Sequence, residues 1–366
     1  MIDIAGLIKK INLMPDSKER AMLICLVYSY INFLVDSNQL DSNYVKNILT
    51  QINDIEIFLK RFFTDEKKDI NLLISSARIL NPMYKDILNY ANKYPLFRID
   101  IPNVNITEFI TYAEEFFKHI DSNLLSLFHL LLKNELIVET NVNGFGGKCH
   151  KLTGDLSGII IKYDTVNLYK VLTVIHEMGH AYYNYLNKSR PTLKRSNIAT
   201  ESISRILEQL FLIYLKDNNL LKENDILKYE RFFMIHQLNL TNSVYIINKL
   251  LIEGIVYPNF YIENIKADLL FSDYYDLSII KPKDAEFNKH ISFINNYYSY
   301  AFLLSMIVRE NYLENKDDTI NFIKEIPIYS QNMNAIEFIN MFNKNDYLNA
   351  TKKNISRVLS KTNYKK

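Results

Sequence analysis

The sequence predicts a mainly α-helical protein with one small β-sheet. Three observations predict it. Gly and Pro number only 8 each among 366 residues, and β-rich folds need many more turn formers. Apolar residues recur at helical spacing, as at Ile55, Phe58, Leu59, Phe62 and Phe63, and again at Phe109, Tyr112, Phe116 and Phe117. The β-branched run Ile159-Ile160-Ile161 reads instead as a strand.

Residues 1–140 read as successive amphipathic helices forming one wall of a cleft, punctuated by Pro82 and Pro95 and soon afterwards by Pro102. The most apolar stretch, Ala21 to Val35, contains Tyr28, Ser29, Tyr30 and Asn32 and is flanked by Arg20 and Asp36. It is too short and too polar to span a bilayer, so it reads as a buried helix. The texture changes near residue 141. Gly144, Gly146, Gly147, Gly154 and Gly158 cluster ahead of the strand. They predict a hairpin or loop in which backbone turns sharply and approaches a neighbour closely. No GKS/T ending follows, so this is not a phosphate loop. A helix is expected from about Val166, and residues 141–366 read as a mostly helical catalytic region. The Glu314-to-Asp318 neighbourhood and the tail with Lys361, Lys365 and Lys366 read as solvated surface.

Composition narrows the function classes. With 48% hydrophobic and 23% charged residues the chain can build a sizeable core. There are 43 basic and 41 acidic residues, a net charge of +2, which gives no case for a nucleic-acid partner. Cys25 and Cys149 do not make a disulfide framework and suit a reducing compartment. The start, Met1-Ile2-Asp3-Ile4, lacks a basic region leading into an apolar run. The expectation is a cytoplasmic protein with no membrane partner.

The chemistry-bearing motif is Val174-Ile175-His176-Glu177-Met178-Gly179-His180. Helix positions i and i+4 share one face about 6 Å apart, so His176 and His180 can reach one zinc ion. Glu177, beside them, can take a proton from water activated by the metal and pass it to a leaving amine. The bland reading is a pair of core histidines. Catalytic zinc needs a third protein ligand, and Glu201 is the candidate. It heads Thr200-Glu201-Ser202-Ile203-Ser204-Arg205-Ile206-Leu207-Glu208. Thr200 reads as an N-cap. Glu201, Ser204, Arg205 and Glu208 share a face beside the apolar stripe of Ile203, Ile206, Leu207 and Leu210. Alternatively, Glu201, Arg205 and Glu208 are an ion-pair ladder on a solvated face. A polar stretch with Pro191 links the two motifs as a loop.

On these residues the chain resembles the oligoendopeptidase F and thimet oligopeptidase family of zinc metallopeptidases. Leu172-Thr173-Val174-Ile175-His176-Glu177-Met178-Gly179-His180 is similar to that family's core motif, and Glu201, Ser204 and Glu208 match its third-ligand segment. The family also places a histidine ahead of a tyrosine cluster, a pattern that His290, Tyr297, Tyr298 and Tyr300 resemble. The resemblance implies a neurolysin-like helical fold with the small sheet beside the active-site helix. It implies one Zn2+ per chain held by His176, His180 and Glu201, with Glu177 as general base. His290 and Tyr300, with Tyr297 and Tyr298, then act on the transition state. It implies a peptide substrate, which is expected to add as a strand to an exposed edge around Ile159–Lys162. Ser204 and Glu208 orient the ligands, or Glu208 pairs with Arg205. Tyr183 stands where a histidine often follows the motif, and the link from His180 to Glu201 is somewhat short. The N-terminal side is shorter than in typical members, which implies a cleft with less roof. Glu201-Ser202-x-Ser204-Arg205 is also similar to the Taq-type carboxypeptidases. That activity, and a catalytically silent zinc scaffold, are the alternatives to an endopeptidase.

Overall fold

A computed structural model describes residues 3–15, 17–37, 39, 51, 70–94, 108–140, 147–152, 156–162, 167–187, 197–254, 291–330 and 333–360. The apolar stripe at 55–63, Pro95, Pro102, Gly144, Gly146, Gly154, Pro191, His290 and the lysine-rich tail lie outside the described residues. The elements run α1 (Ile4–Leu13), α2 (Lys18–Asp36), α3 (Ile70–Ala91), α4 (Phe109–Ile120) and α5 (Ser122–Lys133). Strands β1 (Ile137–Thr140), β2 (Gly147–Lys151) and β3 (Ser157–Lys162) follow. Next come α6 (Leu168–Leu186), α7 (Asn197–Asp217), α8 (Glu223–Ile252) and α9 (Ile291–Glu314). The last are α10 (Lys316–Tyr329), α11 (Ala335–Ile339) and α12 (Lys344–Leu359). The mainly helical class with a small sheet is therefore what the chain forms. It makes two compact units, one of Met1–Thr64 with Asn105–Arg195, the other of Asp65–Val104 with Ser196–Lys366.

In the first unit the sheet order is β1-β3-β2. β3 pairs parallel with β1, Ile137 opposite Ile159, and antiparallel with β2, Cys149 opposite Ile159. The glycine-rich segment thus ends in a hairpin arm, as its composition suggests. The edge expected at Ile159–Lys162 is not open, because β3 is the central strand with a neighbour on each side. A strand covered on both faces reads as a continuous apolar run rather than an alternation. Ile159, Ile160 and Ile161 are accordingly all buried.

Alternate residues of a strand point to opposite faces, and the contacts obey this. On one face Lys148 and His150 bond Asp36 at the end of α2, and Phe33 and Leu34 pack against Ile160 and Leu152. Gly158 belongs to this face; a Cβ there would lie 2.5 Å from ring atoms of Phe33. On the other face Ser157 bonds Asn184 of α6, and Gly147 faces Thr173 and Glu177 of α6. The stretch expected to be a buried helix is one: α2 buries Ile24, Val27, Ile31 and Phe33. Among the described residues no helix is long and apolar enough to cross a membrane.

In the second unit α9 packs against α7, α8 and α12, and α3 against α8 and α12. Pro82, read as punctuation, lies inside α3. A helix-interior proline forfeits a hydrogen bond and costs about 3 kcal/mol. Tertiary burial outweighs this, since Leu80, Tyr84 and Ile87 around it are fully buried and Asn81 Nδ2 bonds the Tyr245 carbonyl at 3.1 Å. Glu230 of α8 is held by Arg309 Nη2 of α9 and Arg357 Nη1 of α12, both at 2.7 Å.

Candidate metal centre

The helix α6 is fixed along its length before any chemistry is considered. Asn167 caps it, accepting from the Lys170 backbone N–H at 2.9 Å. Lys170 Nζ reaches Glu139 of β1 at 2.6 Å. Tyr182 donates its hydroxyl to Asp121, the residue that caps α5, and Asn184 donates to Ser157 of β3 at 3.1 Å. Burial and the Asp121 carboxylate both push the Tyr182 pKa up, keeping the phenol a donor. A helix held to a strand, a cap and a second strand cannot easily slide or rotate.

This fixed helix carries His176 and His180 on one face, their ring centroids 4.9 Å apart and their planes at 84°. His176 and Glu177 are buried, and His180 is partly so. The bland alternative of apolar-packed histidines fits less well, since a carboxylate, Glu177, is buried beside them. Tyr183, three residues after His180, is buried in the core.

The helix α7 begins at Asn197, so Thr200 lies in its first turn and is not its N-cap. Ile203, Ile206, Leu207 and Leu210 form the buried stripe expected of them. Beside it stand Glu201, partly buried, and Ser204 and Glu208, buried. Of the two roles open to Glu208, the ion pair is formed: Arg205 Nη1 forks to its Oε1 at 2.9 Å and Oε2 at 3.0 Å. The Arg205 guanidinium also lies over the rings of Phe233 at 5.3 Å and Tyr298 at 5.8 Å. Burial opposes its charge, yet Glu208 and then Glu201 hold its pKa above the ordinary arginine value. The sequence named Arg205 only as a rung of a ladder. Its position beside Glu201 at i+4 was legible; its engagement with two aromatic rings from α8 and α9 was not.

The tyrosine cluster of α9 divides by burial. Tyr300 is fully buried, its hydroxyl shared with Tyr347 and the Phe338 carbonyl, 3.2 Å away for the latter. Burial and Tyr347 drive its pKa well up. Tyr297 is buried too, whereas Tyr298 is partly exposed beside Arg205.

Among the described residues, one set of His, Cys, Asp and Glu side chains could hold a metal ion. It is His176, His180 and Glu201, each offering one ligand atom within 4.8 Å of the others.

No protein-family model matches the sequence, and no curated protein matches it. Solved structures do. One described as an oligoendopeptidase F has 13% identity and a TM-score of 0.53 over 99% of this chain and 72% of its own. PZ peptidase A with an inhibitor has 13% identity and a TM-score of 0.52 over the same shares. A further structure, described as an oligoendopeptidase F from Bacillus anthracis str. Ames, has 13% identity and a TM-score of 0.48 over 98% and 69%.

This chain has the oligoendopeptidase F and PZ peptidase fold. At 13% identity that fold is carried by the helical architecture and the small sheet, not by general sequence likeness.

Proposed function

We propose that the chain is a zinc-dependent endopeptidase of the oligoendopeptidase type, with His176, His180 and Glu201 as metal ligands and Glu177 as general base. One observation carries the reading: two imidazoles and a carboxylate offer ligand atoms within 4.8 Å of one another. Two nitrogen donors and one oxygen donor suit zinc, with a position left open for catalysis. Calcium or magnesium would call for more oxygen donors. When bound, zinc supplies Lewis acidity, polarising a carbonyl and lowering the pKa of water to about 7.

The chain's own residues do the rest. Glu177 is not among the three proposed ligands, and its carboxylate is assigned the proton of the attacking water and its delivery to the leaving nitrogen. Its burial excludes competing bulk water and strengthens each electrostatic interaction it makes. A hydroxyl donor to the developing oxyanion is assigned to Tyr298. Tyr300 is fully buried, while Tyr298 is partly exposed beside Arg205. His290 stays a proposed contributor on the resemblance alone. The peptide substrate follows from the same fold, whose solved examples carry peptidase names.

The test is metal analysis together with a diverse peptide library read by mass spectrometry. About one zinc per chain and internal cuts are expected, with Glu177→Gln keeping the metal and losing turnover. Single-residue trimming from the C-terminus would instead make it a carboxypeptidase. Zinc without any cleavage would make it a scaffold, and undiminished activity in Glu177→Gln would remove the general base.

A further inference from the structure

We infer that Gly147 is a positioning residue, whose missing side chain leaves the space in which the Glu177 carboxylate sits. The inference rests on the general-base role proposed above for Glu177. Gly147 opens β2 and stands opposite Ile161 on the sheet face turned to α6. A Cβ built on it would lie 2.8 Å from Glu177 Oε1, 3.0 Å from Glu177 Cγ and 2.6 Å from Thr173 Cγ2. Ordinary carbon contacts fall at about 3.5–4.0 Å, so even a methyl group cannot enter without displacing something.

What gives way decides the function. Thr173 is one turn before Glu177 on α6, and its hydroxyl is bonded to the Tyr169 carbonyl at 3.0 Å. The β2 backbone is held by its ladder to β3, and α6 is pinned by Asp121, Ser157 and Glu139. Neither strand nor helix can retreat cheaply. The softest atom in the contact is the carboxylate end of Glu177, which rotates about its side-chain bonds. The carboxylate therefore moves, by the several tenths of an ångström that separate 2.8 Å from ordinary contact. A general base must lie within hydrogen-bond reach of the proton it takes, and a misplacement of about 1 Å can cost about 100-fold. Gly147 thus serves the carboxylate by what it lacks. The two neighbouring β2 residues that reach Asp36, Lys148 and His150, fix the strand from its other face.

The experiment compares Gly147→Ala, Gly147→Ala/Thr173→Ser and Gly147→Ala/Glu177→Gln with their parents, measuring kcat, KM, zinc content and thermal unfolding. Thr173→Ser removes the methyl 2.6 Å away and keeps the hydroxyl, so it relieves the helix contact but not the carboxylate contact. Gly147→Ala is expected to lower kcat about 10–100-fold, with KM and zinc content unchanged. The Thr173→Ser double variant is expected to recover Tm without recovering kcat. In the Glu177→Gln background any residual rate is expected to fall no further on Gly147→Ala, because coupled residues are not additive. Wild-type kcat in Gly147→Ala, or recovery of kcat by Thr173→Ser, would overturn the inference. So would a full additional loss on top of Glu177→Gln. If instead Glu177→Gln is itself as active as the parent, the general-base reading fails first, and the two failures are told apart by that single variant.

Discussion

Glu208→Gln is the substitution that separates a structural ion pair from one serving the metal. Glutamine keeps the shape of the side chain and removes its charge. In the structure Glu208 occupies Arg205 Nη1 with both oxygens, at 2.9 and 3.0 Å, and only 6% of its side chain is exposed. Arg205 sits one turn after Glu201 and already feels that carboxylate. Once Glu208 is neutral, the guanidinium transfers more of its attraction to Glu201 and competes with the metal for it. Residues that orient metal ligands in this indirect way alter affinity by about 10–100-fold when changed, or roughly 1.4–2.7 kcal/mol at about 1.4 kcal/mol per decade. The same substitution leaves a largely buried cation less compensated, at an expected stability cost of about 3 kcal/mol. Competition against a fluorescent zinc chelator measures the first quantity, and urea unfolding of the metal-free protein the second. If stability falls while zinc affinity stays within about twofold of the parent, Arg205 and Glu208 merely brace α7 and the reasoning is refuted.

Tyr298→Phe should lower kcat by about 100-fold or more with little change in KM, the usual cost of removing one oxyanion donor; a wild-type kcat would return that role to another residue. Glu230→Gln should destabilise the protein by about 3–5 kcal/mol at neutral pH, because Arg309 and Arg357 would face each other without their shared carboxylate. Burial opposes the Glu230 charge, but Arg309 and Arg357 hold its pKa below the ordinary value. A depressed carboxylate contributes stability above its unfolded pKa and loses it as pH falls through the folded one. The gap between parent and variant in urea titrations should therefore close in acid, and a gap that widens there would contradict the sign. Gly158→Ala should cost about 1–3 kcal/mol by overpacking against Phe33, visible as a lowered unfolding midpoint; an unchanged midpoint would mean α2 can draw back from the sheet.

Much of the fold was legible where local rules and burial agree. Phe116 and Phe117 recur at helical spacing and are fully buried in α4, and Ile159 to Ile161 form the expected strand. The reading failed where burial outweighed a local preference. Pro82 sits inside α3 because the helix buries apolar residues on both sides of it. Ile159–Lys162 was expected to offer an edge, but which strand lies centrally depends on pairing partners that no local pattern names. Thr200 has the chemistry of a cap, yet α7 starts earlier, at Asn197.

By itself the sequence determined the mainly helical class and the His176–Glu177–His180 face. It could do so because a four-residue spacing on a helix places two side chains together whatever surrounds them. It also singled out Glu201, Ser204, Arg205 and Glu208 as one polar face. Only the tertiary structure decided that Arg205 lies over the rings of Phe233 and Tyr298, that Tyr300 is sealed into the core, and that Gly147 faces Glu177. Each of these depends on contacts between segments far apart in the chain, and packing, unlike periodicity, leaves no local signature.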